Sequence, residues 1–431
     1  MNRPLSRTAT FAMLSAVSLA VAASVWGTIT AFLAIATVGA LVTTGPVFEA
    51  LSTAADEKDG RLRTLVSFAL TGAALAALIV AVELPKPVYV TAMVTLGFGD
   101  LGRRALEAVR PVPIFATAGF VFAGGAAGVG GQLLLSAVSG AVGHGPTVLF
   151  LAASAAFLGA LLRSVLVARN DPLVLGFLTV LLWLLAALAG DITWTAVLVG
   201  LGVSFLFGSL SIALETASIP GMLTGVFLSL LAVVLGGYGW FVLLIAFFGI
   251  GGLSTKFRYD EKVSRGVAEP NEGARGTGNV LGNSLAALFA LLLYAAHAEL
   301  PVPEVVFVFA FAGSVATALA DTLSSEIGGL YDRPRLVTTL SRVEPGTDGA
   351  VTWQGELAGA TGALLIGLLA WLVLPITGVG VVLVMVAGLV GMTVDSLAGA
   401  TIEGDHVGNQ AVNFLATSAG GCAGALLALL L

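Results

Sequence analysis

The chain has 431 residues, of which 58% are apolar and only 10% charged, and it contains 55 glycines. A soluble domain carries roughly 25% charge, and no globule hides this much apolar surface from water, so the soluble, disordered and nucleic-acid-binding classes are excluded. The formal net charge of −6 conceals a strong asymmetry, and one cysteine (Cys422) with three scattered histidines (His144, His297, His406) gives neither a disulfide framework nor a His- or Cys-built metal centre.

Taken in chain order, the apolar runs predict an all-α, polytopic transmembrane bundle of about fifteen spans, each near the ~20 residues that cross a bilayer. They fall near 8–24, 27–43, 64–84, 87–99, 112–134, 146–166, 172–190, 194–213, 220–236, 238–254, 279–297, 303–320, 355–374, 377–394 and 409–430. The first apolar stretch breaks only at Trp26-Gly27 and reads as a hairpin. A cleaved signal peptide over 1–24 fits less well, because a second apolar segment follows at once. With a cytoplasmic N-terminus and strict alternation, every one of the 19 Lys and Arg except Lys86 falls on the cytoplasmic side. That is the positive-inside bias of a multi-pass protein, expected here in the cell membrane. Residues 1–190 form an N-terminal membrane domain with short loops. Residues 191–431 form a second membrane domain carrying two long polar loops, 255–280 and 321–354, where chemistry is expected.

A short pattern occurs three times in the second domain: Asn283-Ser284-Leu285-Ala286, Asp321-Thr322-Leu323-Ser324 and Asp395-Ser396-Leu397-Ala398. In the predicted topology the first copy opens a span and the other two close spans, all on the cytoplasmic side. The three could therefore bring one amide and two carboxylates together. Ionisable groups inside spans are costly, so Asp321, Asp395 and Glu326, with hydroxyls at Thr322, Ser324 and Ser325, are candidate catalytic and metal-binding residues. Oxygen ligands of this kind suit Mg²⁺. Helix-end capping is the competing account, but a carboxylate at a C-terminal end opposes the helix dipole.

The loop over 255–283 carries Lys256, Arg258, Lys262, Arg265 and Arg275 and the Gly-rich run Arg275 to Asn283, which includes Asn279. Such a run lets backbone amides approach an anion and leads into a helix N-terminus. No Gly-Lys-Ser/Thr follows, so it is not a Walker loop. A basic loop that only fixes topology and touches anionic lipid explains the charges but not the Gly/Asn spacing. In the next loop Arg335 and Arg342 could grip phosphate, and Pro345 to Gly349, with Thr347 and Asp348, is a turn signature. Asn409 and Asn413 share one face of the last span, where amides usually bond a neighbouring helix.

The segments STKFRYDEKVSRGVAE, RGTGNVLGN, ADTLSSEIG, PRLVTT, VEPGTDGAVTWQGELA and VDSLAGATIE, in this order over about residues 195–431, resemble the motifs of an integral membrane family of unknown function. That family includes archaeal and bacterial proteins, the vertebrate transmembrane protein nineteen and the chloroplast phytyl-phosphate kinase. The resemblance implies a link to the CTP-dependent polyprenol kinases and phosphatidate cytidylyltransferases. There, an Asp-Ser/Thr element and a later loop ending in Gly handle Mg²⁺ and nucleotide. Asp321-Thr322 matches the first, and Pro345 to Gly355 occupies the place of the second. The Lys pair expected in that loop is replaced by Thr347 and Asp348, so Arg335 or Arg342 would have to substitute. Gly99-Asp100 and Gly102-Arg103 faintly resemble the signature of dolichol and phytol kinases. The first domain therefore reads as a diverged relative of these or as a plain membrane scaffold.

These readings converge on a phosphotransferase at the cytoplasmic face. It would act on an isoprenoid monophosphate within the membrane lipid, with Mg²⁺ and a nucleoside triphosphate such as CTP, and would contact no nucleic acid. A cytidylyltransferase forming a CDP-lipid would use nearly the same residues. A transporter is a further alternative, but it would place polar groups near the midplane rather than at one boundary.

Overall fold

The computed structural model describes residues 3–140, 143–166, 170–269, 275–404 and 407–431; Arg169, His406 and part of the first polar loop lie outside them. The chain packs as two units, Met1–Val197 and Leu198–Leu431. Unit 1 contains α1 (Arg3–Ala16), continued by a 3₁₀ segment, then α2 (Val25–Leu41), two short helices α3 (Pro46–Leu51) and α4 (Ala54–Asp59), α5 (Arg63–Ala81), α6 (Lys86–Val109), α7 (Pro113–Ser139), α8 (Gly145–Val165) and α9 (Asp171–Leu188). The division falls inside α10 (Trp194–Ala213). Unit 2 continues with α11 (Ile219–Leu231), ended by a π-helical turn, α12 (Tyr238–Lys256), the short α13 (Tyr259–Ser264), α14 (Thr277–Ala295), α15 (Glu304–Gly328), α16 (Trp353–Val373), α17 (Gly378–Thr401) and α18 (Asn409–Ala428). Between α15 and α16 lies a two-stranded antiparallel hairpin, β1 (Arg335–Leu336) and β2 (Ala350–Val351).

Every apolar run predicted above falls on a helix. Among the described residues, 13 helices are long and apolar enough to cross a membrane. The other two predicted spans are α2, which is short at 17 residues, and α6, whose C-terminal half carries Asp100, Arg103, Arg104 and Glu107. The protein is an integral, multi-pass, all-α membrane protein.

In unit 1, α6 and α7 touch backbone to backbone: a Cβ on Gly102 would lie 2.3 Å from the Gly119 carbonyl oxygen. Small residues permit this approach, which substitutes for the hydrophobic drive that lipid does not supply. Beside the contact, Asp100 is buried, and Arg163 Nη2 meets its carboxylate at 2.7 Å. The same nitrogen meets Asp171 at 2.6 Å, and Arg103 Nε stands 3.7 Å from Asp100. The Gly99 to Arg103 segment thus packs two helices and feeds an internal ion network.

In unit 2 the hub is α15. It packs against α12, α14, α16, α17 and α18, and 78% of its most apolar window is buried. Its Thr317 faces two glycines, Gly391 of α17 and Gly420 of α18, where an added Cβ would fall 2.2 and 1.9 Å from Thr317 Oγ1. The Thr317 hydroxyl is itself satisfied, donating to the Gly313 carbonyl at 2.9 Å. Two expected helix ends are corrected. α15 runs on to Gly328 and α17 to Thr401, so Asp321 and Asp395 sit about two turns inside their helices. The carboxylates and hydroxyls interrupt the apolar run without interrupting the helix. Likewise Asn283 lies well inside α14, which begins at Thr277.

The unit 1 network yields a test. Breaking a buried ion pair from one side costs about 3–5 kcal/mol, because it strands the opposite charge. Arg163→Gln should therefore lower the thermal unfolding midpoint of the detergent-solubilised protein markedly, as read by tryptophan fluorescence. An unchanged midpoint would mean that the two carboxylates are satisfied without it.

Candidate functional site

Where α15 and α17 finish and α14 and α18 begin, unit 2 forms a half-open polar cavity of about 650 Å³. Its position follows from the hub. Asp321 lies four residues after Thr317, and Asp395 four after Gly391, so each shares a helix face with the residue above it. The close contact of Thr317 with Gly391 is thereby transmitted one turn along, and the carboxyl groups of Asp321 and Asp395 lie within hydrogen-bond reach of each other. Both line the cavity. Two carboxylates this close repel unless a proton or a cation lies between them. Asp395 Oδ1 is buried and has no hydrogen-bond partner among the described residues.

Arg275 supplies the opposing charge. Its backbone is fixed on both sides: its N–H donates to the Thr216 carbonyl at 3.0 Å, and its carbonyl accepts from the Ser218 N–H at 3.0 Å. The approach requires glycine at 221, where a Cβ would stand 2.2 Å from the Arg275 carbonyl oxygen. The guanidinium lies over the Phe247 ring at 5.2 Å, and Nη2 reaches Thr322 Oγ1 at 3.4 Å. Arg275 is only 6% exposed, and its Nε and Nη1 have no hydrogen-bond partner among the described residues. Burial pulls its pKa below the ordinary arginine range, opposed by Glu269, Glu326 and Asp321 nearby.

The remaining basic residues of that loop are mostly taken up by the fold. Lys262, 1% exposed, meets Glu326 Oε2 at 2.5 Å and donates to the carbonyls of Ser254 and Thr255 at 2.7 and 3.3 Å. Arg265 donates to the Gly329 carbonyl at 3.0 Å and pairs with Asp332 at 2.7 Å. These contacts strap the loop to the end of α15. Arg258 is exposed and pairs with Glu261, and Lys256 is half-buried away from the cavity lining. Asn279 does line the cavity and donates to Glu269 Oε1 at 3.1 Å, whereas Asn283 donates to the Asn279 carbonyl at 3.0 Å.

The hairpin closes another side. Gly349 has φ +71°, and a Cβ there would come within 2.5 Å of Ala400 N and of the Ser396 carbonyl oxygen. Only glycine seats this turn against the end of α17. Pro345, Thr347, Asp348 and Gly349 line the cavity as a result. Arg335 and Arg342 do not. Both are exposed, facing each other across the hairpin, and Arg335 Nη1 donates to the Leu340 carbonyl at 2.6 Å. Burial, with Asp348 and Asp395 nearby, raises the Glu403 carboxyl above the usual glutamate range.

Of the residues singled out from the sequence, the structure brings Asp321, Asp395, Glu326, Arg275, Asn279, Thr347 and Asp348 to one cavity. It leaves Lys256, Arg258, Arg265, Asn283, Arg335 and Arg342 outside the lining. Among the described residues no group of three Asp, Glu, His or Cys could hold a metal ion, and Glu326 is paired with Lys262. The lining also includes Glu269, Glu403 and Gln410, which were not singled out. The first two stand inside motifs quoted above, so the motif boundaries were the available signal. Asn409, also on the wall, accepts from Asn413 Nδ2 at 3.0 Å within α18, not from a neighbouring helix. The cavity thus presents a carboxylate pair suited to a hard cation and a buried guanidinium suited to an anion.

Comparison with known proteins covers this same unit. Residues 202–421 match the family described as integral membrane protein DUF92. An uncharacterised membrane protein of Methanocaldococcus jannaschii is 38% identical over 200 residues, 44% of this chain and 77% of the relative. One of Synechocystis sp. is 31% identical over 194 residues, 44% of this chain and 74% of the relative. The chloroplastic protein VTE6 of Arabidopsis thaliana is 28% identical over 233 residues, 53% of this chain and 70% of the relative. No solved structure matches. With the match spanning the whole helical frame of the cavity, from α10 to α18, the chain belongs to the DUF92 family of integral membrane proteins.

Proposed function

We propose that unit 2 is a phosphotransferase that uses a nucleoside triphosphate to phosphorylate an isoprenoid monophosphate at the cytoplasmic face of the cell membrane. The observation that carries this reading is the Asp321–Asp395 pair facing the buried Arg275 across one polar cavity. Phosphoryl transfer is mostly positioning and charge neutralisation, which is what these groups offer. The volume, about 650 Å³, lies within the usual range of ligand pockets. The resemblance to a family that includes a phytyl-phosphate kinase supports the substrate class.

The residues fit Mg²⁺. Asp321 and Asp395 would hold it, and the unpartnered Asp395 Oδ1 suits a cation better than a plain ion pair does. When bound, the metal neutralises phosphate charge. Arg275 holds an anionic oxygen with the donors that the fold leaves unused. Asn279 and the Pro345 to Gly349 turn confine the polar reactants, and the Lys262–Glu326 pair fixes the end of α15. The attacking oxygen of a monophosphate is already ionised at neutral pH, so no side chain need remove a proton. The new bond forms to the terminal phosphorus as its bond to the nucleoside diphosphate breaks. Polar lining at one end of the bundle supports an enzyme over a carrier.

Incubation of the purified protein with Mg²⁺, labelled CTP or ATP, and phytyl or geranylgeranyl monophosphate tests the proposal. A labelled isoprenoid diphosphate is expected. A CDP-lipid would make the protein a cytidylyltransferase, and no product with either nucleotide would overturn both readings. Asp321→Asn and Asp395→Asn each keep shape and remove charge, and each should lower kcat by about 10²–10³ with the unfolding midpoint maintained. Asp100→Asn should leave turnover of the folded fraction near the native value. Full loss there would make unit 1 a second catalytic unit.

A further inference from the structure

We propose that a second, apolar cavity in unit 2 holds the hydrocarbon chain of a lipid phosphate whose headgroup is gripped by Arg275. This deepens the function proposed above and rests on it for the identity of the headgroup. The cavity measures about 240 Å³ and lies among α10, α11 and α12, with Phe207, Leu210, Met222, Val226, Ile245 and Phe248 on its walls. Arg275 lines both this cavity and the polar one. It is therefore the point at which an apolar chamber meets a chamber carrying carboxylates.

Three observations select the occupant. The walls are mainly hydrocarbon, with Ser211, Thr216 and Ser229 as the hydroxyls among them, and they belong mostly to α-helices that stand in lipid, so an apolar chain finds a largely apolar surface. The space exists because side chains are missing: an added Cβ at Gly225 or Gly249, both on the wall, would meet no atom within 4 Å. Arg275, on the wall of both cavities, is more than nine-tenths buried, and two of its guanidinium nitrogens lack partners among the described residues. A buried cation with unused donors calls for an anion. A ligand that satisfies both chambers at once is an amphiphile with an apolar chain ending in phosphate. An apolar cavity of roughly 150 Å³ takes benzene, so this one takes about ten carbons on the same scale, and the remainder of a longer chain extends into the bilayer.

The test is equilibrium binding of the full-length protein in detergent, without nucleotide, using geranylgeranyl monophosphate, dimethylallyl monophosphate and geranylgeraniol as probes. Geranylgeranyl monophosphate is expected to bind at least about tenfold tighter than the five-carbon phosphate, given the several methylenes buried. Gly225→Leu and Gly249→Leu fill the cavity and raise helix propensity, so both should remain folded, and both should abolish most of that advantage. Arg275→Gln should remove the preference for the phosphate over geranylgeraniol. A chain-length advantage that survives both leucine variants overturns the proposal. So does native protein that binds geranylgeraniol as tightly as its phosphate, since the cavity would then take any membrane lipid. Binding that depends on both glycines, with no transfer from CTP or ATP, leaves this inference standing and removes the kinase reading. Transfer with glycine-insensitive binding does the reverse.

Discussion

The contact of Thr317 with the bare backbones at Gly391 and Gly420 governs the arrangement of unit 2. Helices in lipid gain little from burying apolar side chains against each other, and close packing takes over that role. Here α17 and α18 approach α15 until no side-chain carbon fits between them. One turn further along, the same helix faces carry Asp321 and Asp395, and they have no freedom to separate. The pairing of two acidic groups inside an apolar bundle would relax if either helix could drift. Glycine at 391 and 420 prevents that drift, so the electrostatics of the cavity follow from van der Waals contact a turn away.

Much of the fold was legible in the sequence. Every predicted span corresponds to a helix, because long apolar runs separated by polar loops leave few alternatives once a chain is committed to the membrane. Helix ends were less legible. A carboxylate in an apolar run looks like a boundary, yet α15 and α17 pass through Asp321 and Asp395 because the cavity beside them solvates the charge. Hydropathy reports the solvent that a residue meets, and a buried polar chamber imitates the end of a span.

The site was legible as a set of motifs but not as a geometry. Which basic residue faces the cavity could not be inferred from loop composition. Lys262 and Arg265 are consumed in holding the loop to α15, and Arg335 lies on an exposed hairpin. Among the described basic residues of unit 2, Arg275 alone combines burial with unused donors, through backbone contacts at Thr216 and Ser218 that join residues far apart in sequence. Likewise Gly349 reads from sequence as an ordinary turn residue. Its close approach to Ser396 and Ala400 is visible only in three dimensions.

The anchoring of Arg275 also bears on the thermodynamics of recognition. Ordering a loop around a ligand consumes part of the interaction energy, and an arginine side chain is among the costlier groups to immobilise. Here the backbone is bonded on both sides, the glycine at 221 admits its carbonyl, and the guanidinium rests on the Phe247 ring before any ligand arrives. That entropy is lost once, during folding. An anion reaching this residue meets donors already in place, so its affinity reflects electrostatics and desolvation with little deducted for ordering the arginine.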